Sequence, residues 1–210
     1  MSRFKDLIFV FAAVVLPATL FASAPPNPPA PPQQPEHVSL AGQFLIASPA
    51  MGDPRFAQTV VLMVRHDRNG AFGLVINRPV GELALSAMLE ALGERAAGAS
   101  ERVRVFYGGP VQPELAFVLH SAEYRAAQTV AVGGGVAMTV SRQILTDLAA
   151  GKGPVKSLIA FGYAGWAAGQ LEGEMARDAW FTAPADSALV FDEPRDRVWE
   201  RAMERRTREL

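Results

Sequence analysis

There is no cysteine anywhere in the 210 residues. That absence removes disulfide frameworks, thiol nucleophiles and cysteine-based zinc sites, and it leaves the redox compartment undetermined. Histidine is scarce, with three in the chain, and only His66 and His120 fall in the part that reads as folded. Neither belongs to an H-E-x-x-H or H-x-H pair, and no serine stands in a G-x-S-x-G elbow. Hydrolase and metalloenzyme chemistry therefore find no constellation here, and no catalytic residue, metal site or cofactor is expected. An excess of one charge is missing too. A net charge of -1, with arginines and glutamates interspersed, gives no field to draw in nucleic acid, so direct nucleic-acid binding is disfavoured.

What is present begins with the N-terminus. Arg3 and Lys5 precede an apolar run from Leu7 to Phe21, and Ala22-Ser23-Ala24 supplies the small residues of an export cleavage site. Residues 1–24 are read as a signal peptide or signal anchor, with cleavage and retention both open. Pro25 to Pro35 carries seven prolines in eleven residues, which excludes a hydrogen-bonded ladder and predicts an extended spacer reaching about 30 Å. Residues 25–38 are therefore a proline-rich linker and 39–210 a single domain, large enough to bury its own core. The expected location is the periplasm, or the inner membrane through residues 7–24, with the cytoplasm as the alternative. Membrane contact is expected through this segment alone.

Within the domain, Gln43–Ser48 is an apolar run closed by Pro49, and Thr59–His66 is β-branched and continuously apolar up to Arg65, as in a strand buried on both faces. Asp67-Arg68-Asn69-Gly70 is turn chemistry leading to a partner strand, Ala71–Asn77. Beyond Pro79 and Gly81, Leu83, Leu85, Met88, Leu89 and Leu92 recur at helical spacing. Val103–Tyr107 alternates as a strand, Gly108-Gly109-Pro110 interrupts it, and Leu115–Leu119 resumes extended structure. Thr129–Val132 and Val136–Thr139 flank three glycines as a hairpin, and a helix with Ile144, Leu145 and Leu148 follows Ser141. Trp180–Thr182 and Ala188–Phe191 read as short strands. The run from Arg195 sets Val198, Trp199, Ala202 and Met203 on one side of a helix, with Arg201–Glu204, Glu204–Arg208 and Arg205–Glu209 at neighbour spacing. Hairpins mixed with helices predict an α/β (α+β) sandwich around a mixed sheet and argue against a doubly wound fold.

Two glycine-rich stretches invite a phosphate-binding reading. In Gly162-Tyr163-Ala164-Gly165-Trp166-Ala167-Ala168-Gly169-Gln170-Leu171-Glu172 an apolar run meets a bend and then a helix, yet no G-K-[ST] ends the glycines and the G-x-G-x-x-G spacing is missed. The glycines are better explained as letting the strand turn tightly onto the helix, with Trp166 packed as a plug. Gly108-Gly109-Pro110 can expose an anion nest or simply make a rigid turn. His66 and His120 each end a strand, so the two imidazoles could meet at one rim of the sheet.

Taken in order, Phe44–Pro49 with Asp53–Phe56, His66–Pro79, Gly108-Gly109-Pro110-Val111, Phe117–Ser121, and Gly162–Trp166 with Gly169–Glu172 and Glu174 resemble the AlgH/YqgE family. The resemblance spans about Leu40 to Met203. It implies a bacterial fold with a bifurcated sheet in a sandwich or pseudo-barrel, and no established reaction. The family name comes from a proposed regulatory role. His66, Asn69, Gly70, Asn77, Pro79, Gly108, Gly109, Pro110, His120, Gly162, Gly165, Trp166, Gly169, Gln170, Leu171 and Glu172 fall on recurrent positions and form the candidate binding surface. Some relatives carry a cysteine two residues before the histidine, where this chain has Val64, so thiol chemistry is not available. The leading expectation is a non-enzymatic regulatory or binding protein whose partner is an unknown protein or a small anionic ligand. The alternative is a small-molecule hydrolase or transferase binding an anion between the Gly108 and Gly162 loops, with His66 or His120 as base.

Overall fold

The computed structural model describes residues 38–94 and 102–207. The chain divides into two units, Met1–Glu36 and His37–Leu210, and everything described belongs to the second. The leader, almost all of the proline-rich linker and the pairings through Arg208 and Glu209 lie outside the described residues. Among those residues no helix is long and apolar enough to cross a membrane.

The first half contains β1 (Gln43–Ala47), β2 (Val60–Asp67), β3 (Gly70–Val75), β4 (Pro79–Ala84), α1 (Leu85–Ala91) and β5 (Arg102–Tyr107). The second contains β6 (Val111–Ser121), β7 (Thr129–Gly133), β8 (Val136–Thr139), α2 (Gln143–Ala149), β9 (Ser157–Ala167), α3 (Gln170–Met175), β10 (Trp180–Pro184), α4 (Ser187–Phe191) and α5 (Val198–Glu204). The strands run in the order β10-β1-β2-β3-β9-β6-β8-β7, with β4 and β5 branching off β9. All pairs are antiparallel except β5 with β9. The result is a mixed α+β fold whose curled sheet makes a half-barrel.

β9 is the strand on which the sheet divides. Its first part pairs with β5 through Ile159, Ala160 and Phe161, and its last part pairs with β3 from Ala164 to Ala167. The opposite edge of β9 carries β6. One strand thus feeds two limbs along the same edge, and the residues between Phe161 and Ala164 absorb the divergence.

Burial follows the two-residue period of the strands. On β1 and β2, Phe44, Ile46, Val60 and Leu62 enter a cluster shared with Phe106, Leu119, Leu158, Val190 and Val198, while Leu45, Ala47, Val61 and Met63 enter another with Trp166, Leu171 and Trp180. β1 and β2 are therefore covered on both faces, which explains their continuous apolar sequence. A third cluster joins α1 and α2 to the β5 limb through Leu85, Leu89, Val103, Ile144, Leu148 and Ile159.

Three local expectations change. Leu83 lies in β4, because pairing of Glu82 with Arg104 and Leu83 with Val103 overrides its helical spacing; the helix starts at Leu85. Ala188–Phe191 belongs to α4 and not to a strand. The Asp186 carboxylate accepts the Ala188 N–H at 2.9 Å and caps that turn, and a short apolar run carries no period of its own. Finally, β9 runs through Gly162 and Gly165 to Ala167, so the bend into α3 involves Gly169 alone of those glycines, at φ 74°.

Candidate functional site

The two glycine stretches meet each other. Gly108 donates its N–H to Phe161 O at 2.7 Å and accepts Val75 N–H at 2.9 Å, tying β5 to both limbs. A Cβ on Gly108 would fall 2.3 Å from Gly162 O, one on Gly162 2.4 Å from Gly109 O, and one on Gly109 2.1 Å from the Tyr163 carbonyl carbon. Gly162 and Gly109 also hold φ values of 70° and 154°, which side chains oppose. Backbone atoms stand where a side chain would enter between these loops, the place that the alternative reading gave to an anion. These glycines let three chain segments cross where the sheet forks.

A second group gathers at the far end of β9. His66, Ala71 and Trp166 stand side by side across β2, β3 and β9, and Gly70 lies opposite Ala167. The Leu40 N–H donates to His66 Nδ1 at 3.1 Å, so Nε2 carries the proton of the neutral ring and faces Glu172 Oε1 at 3.1 Å. The imidazole is 3% exposed and the carboxylate 48%. Trp166 and Trp180 both donate Nε1–H to Glu174 Oε2 at 2.8 Å, and Gln170 donates to Glu174 Oε1 at 2.9 Å while its own Oε1 accepts the Ala167 N–H at 3.1 Å. Phe56 packs against both indoles. Trp166 is thus a buried plug, and the Gly169–Glu174 segment fastens α3 over it. Asn69 sits in the exposed turn, its N–H on Asp67 Oδ1 at 2.7 Å.

His120 is not brought to this group. It pairs with Ser157 at the start of β9, whereas His66 aligns with Trp166 near its end. Nine residues of extended chain separate those levels, up to about 30 Å. The expectation that the two imidazoles meet is overturned: both strands end in histidine, but antiparallel pairing sends the ends apart. His120 is fully buried. Its Nδ1–H donates to Ser121 O at 2.9 Å, and Nε2 accepts the Thr139 hydroxyl at 2.9 Å. Thr139 accepts from Thr129 at 2.7 Å, which accepts the Ala126 N–H at 3.0 Å. Burial pushes the His120 pKa down, opposed by its bond to Ser121 and by Glu123. Beside it, burial and a 2.6 Å bond to Asp147 push Tyr124 up to about 12. This chain of hydrogen bonds holds β6, β7 and β8 together; His120 and Thr139 are fully buried in it and Thr129 partly.

Asn77 and Pro79 line a groove of about 460 Å³ with Arg78, Arg195, Trp199 and Glu200. Asn77 builds its wall: Oδ1 accepts Val60 N–H at 3.0 Å and Nδ2 donates to Gln58 O at 2.9 Å. Arg78 donates to Ala57 O at 2.8 Å, and Gln58 adopts φ 54° to follow the wall. On the other side, Trp199 donates Nε1–H to Ala47 O at 2.8 Å and seats α5 on β1. No group of three or more histidines, aspartates or glutamates that could hold a metal occurs among the described residues.

A sequence profile described as AlgH-like matches residues 44–210. The chain belongs to the AlgH-like family. Among its relatives, a UPF0301 protein of Methylococcus capsulatus is 44% identical over 174 residues, covering 82% of this chain and 95% of the relative. A UPF0301 protein of Pseudomonas putida is 49% identical over 154 residues, covering 72% and 80%. The solution structure of the AlgH protein from Pseudomonas aeruginosa superposes with a TM-score of 0.68 at 45% identity, covering 82% of this chain and 92% of that one. A crystal structure of a Corynebacterium diphtheriae protein, 21% identical with a TM-score of 0.59, shares the fold.

Sorted onto this AlgH-like fold, the candidate residues separate into four places, one of them the buried hydrogen-bond chain that holds His120. Gly108, Gly109, Pro110 and Gly162 belong to the fork and its exit; His66, Asn69, Gly70, Gly165, Trp166, Gly169, Gln170, Leu171 and Glu172 belong to the β9 end; Asn77 and Pro79 belong to the groove. Sequence reasoning missed Arg195 as a lining residue of that groove, and nothing near it in the chain signals the role.

Proposed function

We propose that this AlgH-like chain is a non-enzymatic binding protein of regulatory type, which presents the groove between Asn77-Arg78-Pro79 and α5 to a partner protein or a small anionic ligand. The observation that carries the reading is the groove itself: about 460 Å³, walled by Asn77-Arg78-Pro79 and lined by two arginines and two acids, Asp196 and Glu200. The histidines add support, because His120 is consumed in an internal hydrogen-bond chain and His66 accepts a backbone N–H beneath α3. Recognition needs shape and donors, and this groove has both.

In a strain deleted for the chain, Glu200→Lys is expected to fail to restore the wild-type state while the purified variant melts normally. Glu172→Gln, which alters the partner of His66, is expected to restore it at matched abundance. The reverse pattern would sink the binding reading in favour of chemistry at His66.

The same proposal places the domain outside the cytoplasm, exported or anchored by residues 7–24 and held off the membrane by the proline-rich linker. Its support is the cationic start, the apolar run and the small residues at 22–24, none of which falls in the family match. Fractionation of a tagged full-length chain checks it. A soluble cytoplasmic product retaining residues 1–24 overturns it.

A further inference from the structure

In the groove itself Arg78 and Arg195 are matched by Asp196 and Glu200, whereas the adjoining cleft carries three cations, Arg102, Arg104 and Lys156, against the two acids Glu82 and Asp192. Three acids on this face are engaged by named cations: Glu82 with Arg102 at 3.3 Å, Asp192 with Lys156 at 2.6 Å, and Glu193 with Arg201 at 3.6 Å. Arg104 and Arg195 are left with no carboxylate in ion-pair contact among the described residues. Arg195 spends two of its nitrogens on carbonyls, donating from Nη1 to Val190 O at 2.6 Å and from Nη2 to Glu193 O. Its Nε is buried and has no acceptor. A buried N–H of a cation without a partner is costly, and native structures rarely leave one so.

The space beside these groups has a definite form. Arg104, Arg195 and Ser157 line a void of about 10 Å³ whose other walls include Phe106, Val190 and Phe191. That is room for about one water-sized atom. It adjoins a cleft of about 340 Å³, which shares Arg104, Ser157 and Phe191 with it and adds two ion pairs, Arg102 with Glu82 and Lys156 with Asp192. Burial, and then the charge of Arg104, push the Arg195 pKa down from its ordinary value, opposed by the charges of Asp192 and Glu193, so the two guanidinium groups feel one another. An oxygen carrying negative charge, set between two arginines against aromatic walls, would relieve that repulsion through charge-assisted hydrogen bonds.

We propose that this face is a binding site for an oxyanion group, one oxygen lodged between Arg104 and Arg195 and the remainder of a small molecule lying in the 340 Å³ cleft that Lys156 also lines. Ser157 contributes the neutral donor. The inference goes beyond the binding reading: the void shares only Arg195 with the lining of the Asn77 groove, and the cleft shares none of it.

The test is a titration of the purified full-length chain with inorganic phosphate at constant ionic strength, reading the Arg195 Nε–H signal, with acetate as a second arm and chloride as control. Saturable movement of that signal is expected, with affinity at least tenfold weaker in Arg104→Gln and an unchanged melting temperature. Arg104→Lys, which keeps the charge and loses the fork, is expected to fall between. Preference for phosphate marks a phosphoryl ligand and preference for acetate a carboxylate; either supports the site. A linear response equal to that of chloride, or phosphate binding untouched by Arg104→Gln, overturns it. If phosphate fails while Glu200→Lys still abolishes function, the anion is wrong and the binding reading stands.

Discussion

Gly108 and Arg104 lie four residues apart in the sequence and serve opposite ends. At the fork, three backbones cross so closely that every added atom collides. On the arginine face, charged side chains stand around clefts of about 340 and 460 Å³, and one buried donor has no partner. The first region is complete in itself. The second keeps one buried donor without a protein acceptor, and the proposed anion site rests on that difference. Motif density alone points to the fork, whereas unsatisfied chemistry points to the arginines.

The contrast breaks most sharply at Gly109. Its Cβ would meet the Tyr163 carbonyl carbon at 2.1 Å, and φ is 154°, so Gly109→Ala is expected to lose about 4 kcal/mol or to fail to fold. Urea unfolding measures this, and a midpoint equal to the parent's would show that the crossing has slack.

A smaller effect comes from His120, on the same rigid side of the comparison. Its folded pKa lies below the ordinary value because the ring is buried, so the unfolded chain binds the proton first. The histidine's contribution is present above about pH 6.5 and is lost as pH falls from there toward the folded pKa. Stability should therefore drop on acidification through that window, and His120→Gln, though less stable, should lose this component of the slope. Parallel curves for parent and variant would count against it.

The smallest effect belongs to the exposed face. Lys156 and Asp192 are 2.6 Å apart but 44% and 49% exposed, so Lys156→Ala is expected to cost less than about 1 kcal/mol. A larger loss in the same urea assay would mean that this face supports the fold and is not free to serve a ligand.

Much of the fold was legible because strands and turns announce themselves locally. Thr59–His66 was continuously apolar up to Arg65, and Val60 to Met63 of β2 are buried on both faces; Asn69-Gly70 marked a turn, and Gly70 takes φ 132° there. Trp199 promised a docked helix face and seats α5 on β1. What misled was of two kinds: distant β5 drew Leu83 into a strand, and a local cap, Asp186, set Ala188–Phe191 in a helix where a short apolar run has no period of its own. Of the site, the glycines could be seen but not their role, because their clash partners come from another stretch of sequence. Arg104 and Arg195 carried no signal, since an isolated arginine in a sequence states nothing about its neighbours.

By itself the sequence determined the family, the domain's class and the absence of thiol chemistry, all properties of residue type and order. Only the tertiary structure decided that Gly109 and Gly162 are one crossing, that His66 and His120 stand at opposite ends of β9, and that two arginines 91 positions apart share one void. The reason is physical. Periodicity and turn chemistry act over a few residues, whereas steric exclusion and charge act through space and depend on which strands the sheet has paired.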